Sequence, residues 1–286
     1  MGTSQSSKGP GSGVPMVPSW VDDPPAEAPN GDDHSPDDAD NGDDGGDEEE
    51  GQPPSRPPSP IAPERRWLGV RRSLGDYGKT GDRSAMQRGF GRYVRDGYGG
   101  TRTASRRMAG TASTAGALGS ALDVLSGARP PEPGSAIDPT LLGGRSVDEI
   151  MDAVVEAVRP VDGTQDAEAS RAAIKDALAE MLTRFPDADL MGLTAEQREF
   201  AIERFTAHDV FRRFDLDVGQ SIRDNAPNAT TGLARLRQAR DYVKETVSAA
   251  FRALRDAGKT LTSGRISAVV REALQETFDV FEGYAA

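Results

Sequence analysis

The residues able to do chemistry in this chain are few and scattered. Its 286 residues include two histidines and no cysteine, which removes disulfides, thiolate metal sites and cysteine nucleophiles and fits a reducing compartment. His34 stands in an acidic stretch and His208 beside Asp209 on a helical pattern. Neither joins a carboxylate cluster with metal-ligand spacing, and His208 reads as a surface or packing residue. The pairs Asp187/Asp189 and Asp215/Asp217 fall at predicted helix ends, where capping or solvation accounts for them. Gly97-Tyr98-Gly99-Gly100, just ahead of a helical pattern, could present N–H groups to an anion. It follows no strand and lacks the Lys-Ser/Thr ending of a P-loop, so that signal is weak. These residues predict no catalytic group, no metal, no cofactor and no enzymatic activity.

Two features of the first twenty residues remain. Met1-Gly2-Thr3-Ser4-Gln5-Ser6 matches the pattern for acylation of Gly2. A single acyl chain holds a membrane only marginally, and anionic lipid repels the acidic run that follows. The simpler reading is removal of Met1 and no membrane attachment, with Gly2 left as an accessible α-amine for an acylating or conjugating enzyme. The second feature is the island at 14–21, where Val14, Met16, Val17 and Trp20 concentrate the large apolar groups of this arm. Flanked by acids, it reads as a segment that docks on a partner and orders on binding.

Charge divides the chain into three parts. Asp22 to Glu50 supplies fourteen carboxylates, and no Lys or Arg occurs from residue 9 to residue 55. Six prolines follow within residues 51–64, an extended spacer. Residues 1–64 are too poor in apolar groups to offset the entropy of ordering them, so they form a disordered acidic and Pro-rich arm. Residues 65–107 carry twelve Lys or Arg against Asp76, Asp82 and Asp96. Arg71, Arg72, Arg102, Arg106 and Arg107 are the candidate contacts to phosphate, with Trp67, Tyr77, Phe90, Tyr93 and Tyr98 as stacking groups or, more simply, core. No apolar run approaches the roughly 20 residues that cross a bilayer, and a cytoplasmic location is expected.

Helical patterns must position whatever these residues do. Residues 82–96 read as a first helix capped by Asp82, with Met86, Phe90, Tyr93 and Val94 on one face. Residues 101–126, rich in Ala, Gly, Ser and Thr, read as a helix whose glycines let a neighbour approach closely. A linker at 129–144 separates a basic helical segment (65–128) from a helical bundle (145–286). In the bundle Ser146 with Glu149 and Thr194 with Gln197 are capping-box pairs. Helices are predicted over 166–185, from Thr194 to Asp215 or a kink there, over 229–257, and from Thr262 onward. No alternating β-branched run appears. The expectation is an all-α body of six to eight helices behind the arm.

Several strings resemble the QatB family of the bacterial Qat anti-phage defence systems. They are Met1-Gly2-Thr3-Ser4, Val17-Pro18-Ser19-Trp20, Arg72-Ser73-Leu74-Gly75-Asp76-Tyr77, Gly97-Tyr98-Gly99-Gly100, Gly110-Thr111-Ala112-Ser113-Thr114-Ala115-Gly116-Ala117-Leu118, Val158 to Asp166 and Phe278 to Tyr284. The resemblance implies a non-enzymatic adaptor beside a QatA-type ATPase, a QatC-type enzyme that is QueC-like, and a TatD-like nuclease. A QueC-like enzyme activates a carboxylate with ATP and would need an amine acceptor. Gly2 is the expected acceptor, with Thr3, Ser4, Val14, Met16, Val17 and Trp20 holding the tail on that enzyme. The alternatives are a nucleic-acid-binding module acting through 65–107 and a lipid-anchored scaffold using Gly2. The last needs a eukaryotic acylation context, whereas the Ala, Arg, Asp and Gly bias points to a GC-rich bacterium.

Overall fold

Side-chain caps open most of the long helices where the sequence places them. The computed structural model describes residues 16–17, 62–131, 137–262 and 264–285. The expected disorder of the arm therefore lies almost wholly outside the described residues. In chain order the helices are α1 (Leu68–Thr80), α2 (Arg83–Arg92), α3 (Thr101–Arg107), α4 (Ala109–Leu125), α5 (Pro139–Leu142) and α6 (Val147–Val158). They continue as α7 (Gln165–Arg184), α8 (Ala195–Phe214), α9 (Gln220–Asn225), α10 (Ala229–Asp256) and α11 (Ile266–Glu282). Two π-helical turns interrupt this series, π1 (Tyr93–Gly97) after α2 and π2 (Asp215–Gly219) between α8 and α9. Among the described residues there is no strand, and the all-α expectation holds.

Both capping boxes form, Ser146 with Glu149 at α6 and Thr194 with Gln197 at α8. Asp82, Thr164 and Asn228 accept from the N–H groups of Ser84, Ala167 and Thr231 at α2, α7 and α10. Other boundaries moved. α1 precedes the helix expected to be first; its glycines lower helix propensity, but Gly78 fits against the backbone of Ile222 and Gly75 against the Asn225 side chain. The helix expected over 101–126 breaks at Met108 (φ −96°, ψ 20°). The run from Thr194 takes the second of its two expected forms, with π2 interrupting it at Asp215 before α9, and the last helix begins at Ile266 and not at Thr262, capped by Arg265 without a side-chain bond.

One contiguous core joins the segments on both sides of the 129–144 linker, reaching from Trp67 to Phe281. α8 packs against α7, α10 and α4, and α11 against α4, α10, α3 and α2. Where these meet, Phe90 of α2 stacks on Phe214 of α8 with centroids 4.3 Å apart, and lies 4.8 Å from Phe281 of α11 and 5.3 Å from Tyr242 of α10. Such ring pairs add to the area they bury.

Glycines set the closest approaches. In α4 a Cβ at Gly116 or Gly119 would lie 2.2 Å from Ser267 Oγ or Ile266 Cδ1, so the small-residue helix does admit a close neighbour, the start of α11. In α1 a Cβ at Gly78 would stand 2.6 Å from the carbonyl oxygen of Ile222 in α9. Backbone yields less than a side chain does. Gly78→Ala is expected to destabilise by about 1–3 kcal/mol through overpacking, despite the better helix propensity of Ala. Gly110→Ala, with nothing within 4 Å of the new Cβ, should not destabilise. Urea denaturation of both variants checks the pair.

Candidate functional site

The two π-turns face each other, and π-turns recur where helices carry function. π1 supplies Tyr93 and leads to Tyr98, while π2 supplies Asp217. The Tyr93 hydroxyl donates to Asp217 Oδ2 at 2.9 Å and the Tyr98 hydroxyl donates to the same oxygen at 2.6 Å. Trp67, just before α1, closes this cluster, 5.6 Å from Tyr98 edge-on and 5.7 Å from Tyr93. Burial pushes the Asp217 carboxyl above its usual range, against the pull of the Tyr98 and Tyr93 hydroxyls and of nearby Arg213. Burial and the neighbouring Asp217 likewise push up both phenols. Arg213 pairs with Asp166 of α7, which ties the cluster to the bundle.

The reading of Asp217 as a capping or solvated residue is corrected: it is a half-buried acceptor of two tyrosine hydroxyls. A signal was present, since Val210, Phe214, Asp217, Val218 and Ile222 share one helical stripe. Asp215 pairs with Arg223 at 2.6 Å, and Asp189 accepts from the Met191 N–H. His208 is buried, a packing residue whose Nε2 lies 3.0 Å from Glu180; His34 lies outside the described residues.

The glycine loop borders this cluster. A Cβ at Gly97 would lie 2.4 Å from Trp67 Cζ3, and one at Gly99 (φ +79°) 2.4 Å from Met16 Sδ. The Thr101 N–H and hydroxyl both donate to Glu282 Oε2, at 2.8 and 2.6 Å. The loop therefore does present an N–H to an anion, and the anion is the chain's own Glu282. Met16 and Val17 are 5% and 2% exposed. Gly2, Thr3, Ser4, Val14 and Trp20 fall outside the described residues. Arg71, Arg72 and Arg102 are exposed, Arg106 and Arg107 half-buried. All five aromatics of the basic stretch are buried and belong to the core, as helical spacing suggested for Phe90 and Tyr93.

A second polar network lies between α7, α8 and α10, beside an open groove of about 600 Å³ lined by Arg204, Lys244, Ser248 and Glu203 among others. Glu180 meets Lys244 Nζ at 2.7 Å, His208 Nε2 at 3.0 Å and Arg204 Nε at 3.3 Å. Buried Asp209 accepts from the hydroxyls of Thr111 and Ser170, each at 2.6 Å, and so joins α4, α7 and α8. Among the described residues no group of three His, Asp or Glu is placed to hold a metal ion. The sequence singled out neither Glu180 nor Asp209 because their partners come from distant helices.

Two outcomes follow from these networks. Asp217→Ala leaves two buried hydroxyls without their acceptor and should cost about 2–4 kcal/mol. Tyr93→Phe should then cost less in that background than in the native chain, a coupling that a double-mutant cycle in urea measures. Burial works against the Glu180 carboxylate, but the hydrogen bonds from His208 and Lys244 and the charges of Lys244 and Arg204 outweigh it and lower its pKa from 4.5 to about 2. A lowered folded-state pKa stabilises above the unfolded value and is lost as pH falls. The stability difference between the native chain and Glu180→Gln should thus be level above about pH 5 and shrink between pH 4.5 and 2. Asp209 and Asp217 are shifted upward and have the opposite slope, but they are common to both proteins and cancel in the difference.

Residues 99–281 match the family model described as Qat anti-phage system associated protein QatB. No curated protein and no solved structure matches the chain. The match begins at Gly99 and takes in α3 to α11 up to Phe281. The arm, α1, α2 and π1 lie ahead of it.

Proposed function

This chain belongs to the QatB family associated with the Qat anti-phage system, and from that premise we propose a non-enzymatic adaptor whose N-terminal tail is bound by a QueC-like enzyme and modified at the Gly2 amine. The family match carries this reading. It is supported by the use the body makes of its polar groups: Asp217, Asp209 and Glu180 are each engaged by side chains from neighbouring helices, which is structural work. It is supported also by the small-residue start Gly2-Thr3-Ser4, which puts no bulky group beside the amine. The reaction class would be amide formation between a carboxylate activated by ATP on the enzyme and the free α-amine, with the activating group leaving. The helical body remains for the ATPase and the TatD-like nuclease, and Leu68, Leu141, Val161 and Leu233 offer them exposed apolar contacts.

A second reading, nucleic-acid binding through 65–107, has one favourable observation in the exposed Arg71, Arg72 and Arg102. With the aromatics buried, it would rest on phosphate contacts alone and weaken steeply with salt.

Intact-mass measurement after co-expression with the QueC-like enzyme tests the first reading. The expected result is an added mass on the native chain that disappears in Gly2→Pro. An unmodified native chain, or an added mass that survives in Gly2→Pro, sinks it.

A further inference from the structure

Met16 and Val17 are as buried as core residues, yet they stand outside the contiguous core. More than forty residues separate them from Ala62, where the described chain resumes. Chain continuity therefore does not impose their burial, and Met16 meets the body at Gly99. The contact is specific in shape. Gly99 has φ +79° and Gly100 φ +100°, a backbone that L side chains rarely adopt, and the Met16 sulfur occupies the space where a Cβ at Gly99 would sit. The loop that makes this seat is held on one side by Trp67 against Gly97 and on the other by Glu282 on Thr101. A flexible thioether suits an irregular seat of backbone atoms.

We infer that the Gly97–Thr101 loop is a binding site for the arm's own Met16 and Val17, which it holds in cis. Because the two side chains and the loop belong to one chain, their contact is intramolecular and a small apolar contact is enough to form it. The docked pair changes the arm's reach. From Gly2 to Met16 is a span of fourteen residues, at most about 50 Å when extended, and Gly2 is confined to that distance from Gly99. A partner that fills its own groove with Met16 and Val17 must first take them from the loop, because the same side chains cannot occupy both. The site concerns this chain by itself and stands whether or not Gly2 is modified.

The absence of cysteine permits a direct test. Val17→Cys and Leu141→Cys, the latter at a side chain 70% exposed, are made separately in the full chain. Their alkylation rates are measured natively and normalised to the rates in denaturant. The Val17→Cys thiol is expected to react at least tenfold more slowly. Met16→Asp, which puts a charge in the apolar seat and leaves the body untouched, should abolish that protection. Gly99→Asn, a residue that tolerates positive φ while adding the Cβ, should do the same with the body's thermal transition retained. Equal rates at Val17 and Leu141 in the native chain overturn the inference. Protection at Val17 that neither Met16→Asp nor Gly99→Asn reduces overturns it as well.

Discussion

A carboxylate shared by two buried tyrosines is the constraint around which this body is arranged. Asp217 would be costly to enclose alone, and the two hydroxyls that meet it come from π1 and the residue that follows it, more than a hundred residues earlier in the chain. The bond fixes π1 against π2, and with it α2 against the end of α8. Phe90 can then stack on Phe214, Trp67 can cover both tyrosines, and the glycine loop is set where Met16 meets it. A hydrophobic contact between these helices would tolerate sliding. Two short hydrogen bonds to one oxygen do not.

Glycine does the complementary work of closeness. Where Gly78 meets the Ile222 carbonyl, Gly97 meets Trp67 and Gly116 meets Ser267, a neighbour fills the space of a missing Cβ. These positions weaken helix propensity locally and return the loss as packing. Gly99 belongs to the same economy of space, except that its occupant comes from the arm. One device thus serves both the core and the point where arm and body touch.

Several of the body's charged groups are engaged by side chains from other helices. Glu180 gathers a lysine, an arginine and a histidine, Arg213 pairs with Asp166, and Asp209 is met by two hydroxyls. Membership of the QatB family sets this helical frame in an anti-phage system. The adaptor reading assigns the frame to holding and the tail to being acted upon.

The all-α class, the capping boxes at Ser146 and Thr194, the long helix ending before Gly258 and the core role of Tyr93 and Phe90 were all legible in the sequence. Each rests on residues within a turn or two of one another, and that is the range of capping bonds and helical periodicity. The two π-turns, the pairing of Asp217 with two hydroxyls and the seat of Met16 on Gly99 were not. They depend on groups that meet only after distant helices have packed, and spacing along the chain does not say which carboxylate will find two hydroxyls or which glycine will receive a side chain. Local chemistry determined that this chain is helical and where most of its helices begin. Tertiary contact decided which acids meet hydroxyls from distant helices, and that part of the arm's apolar island lies against the body.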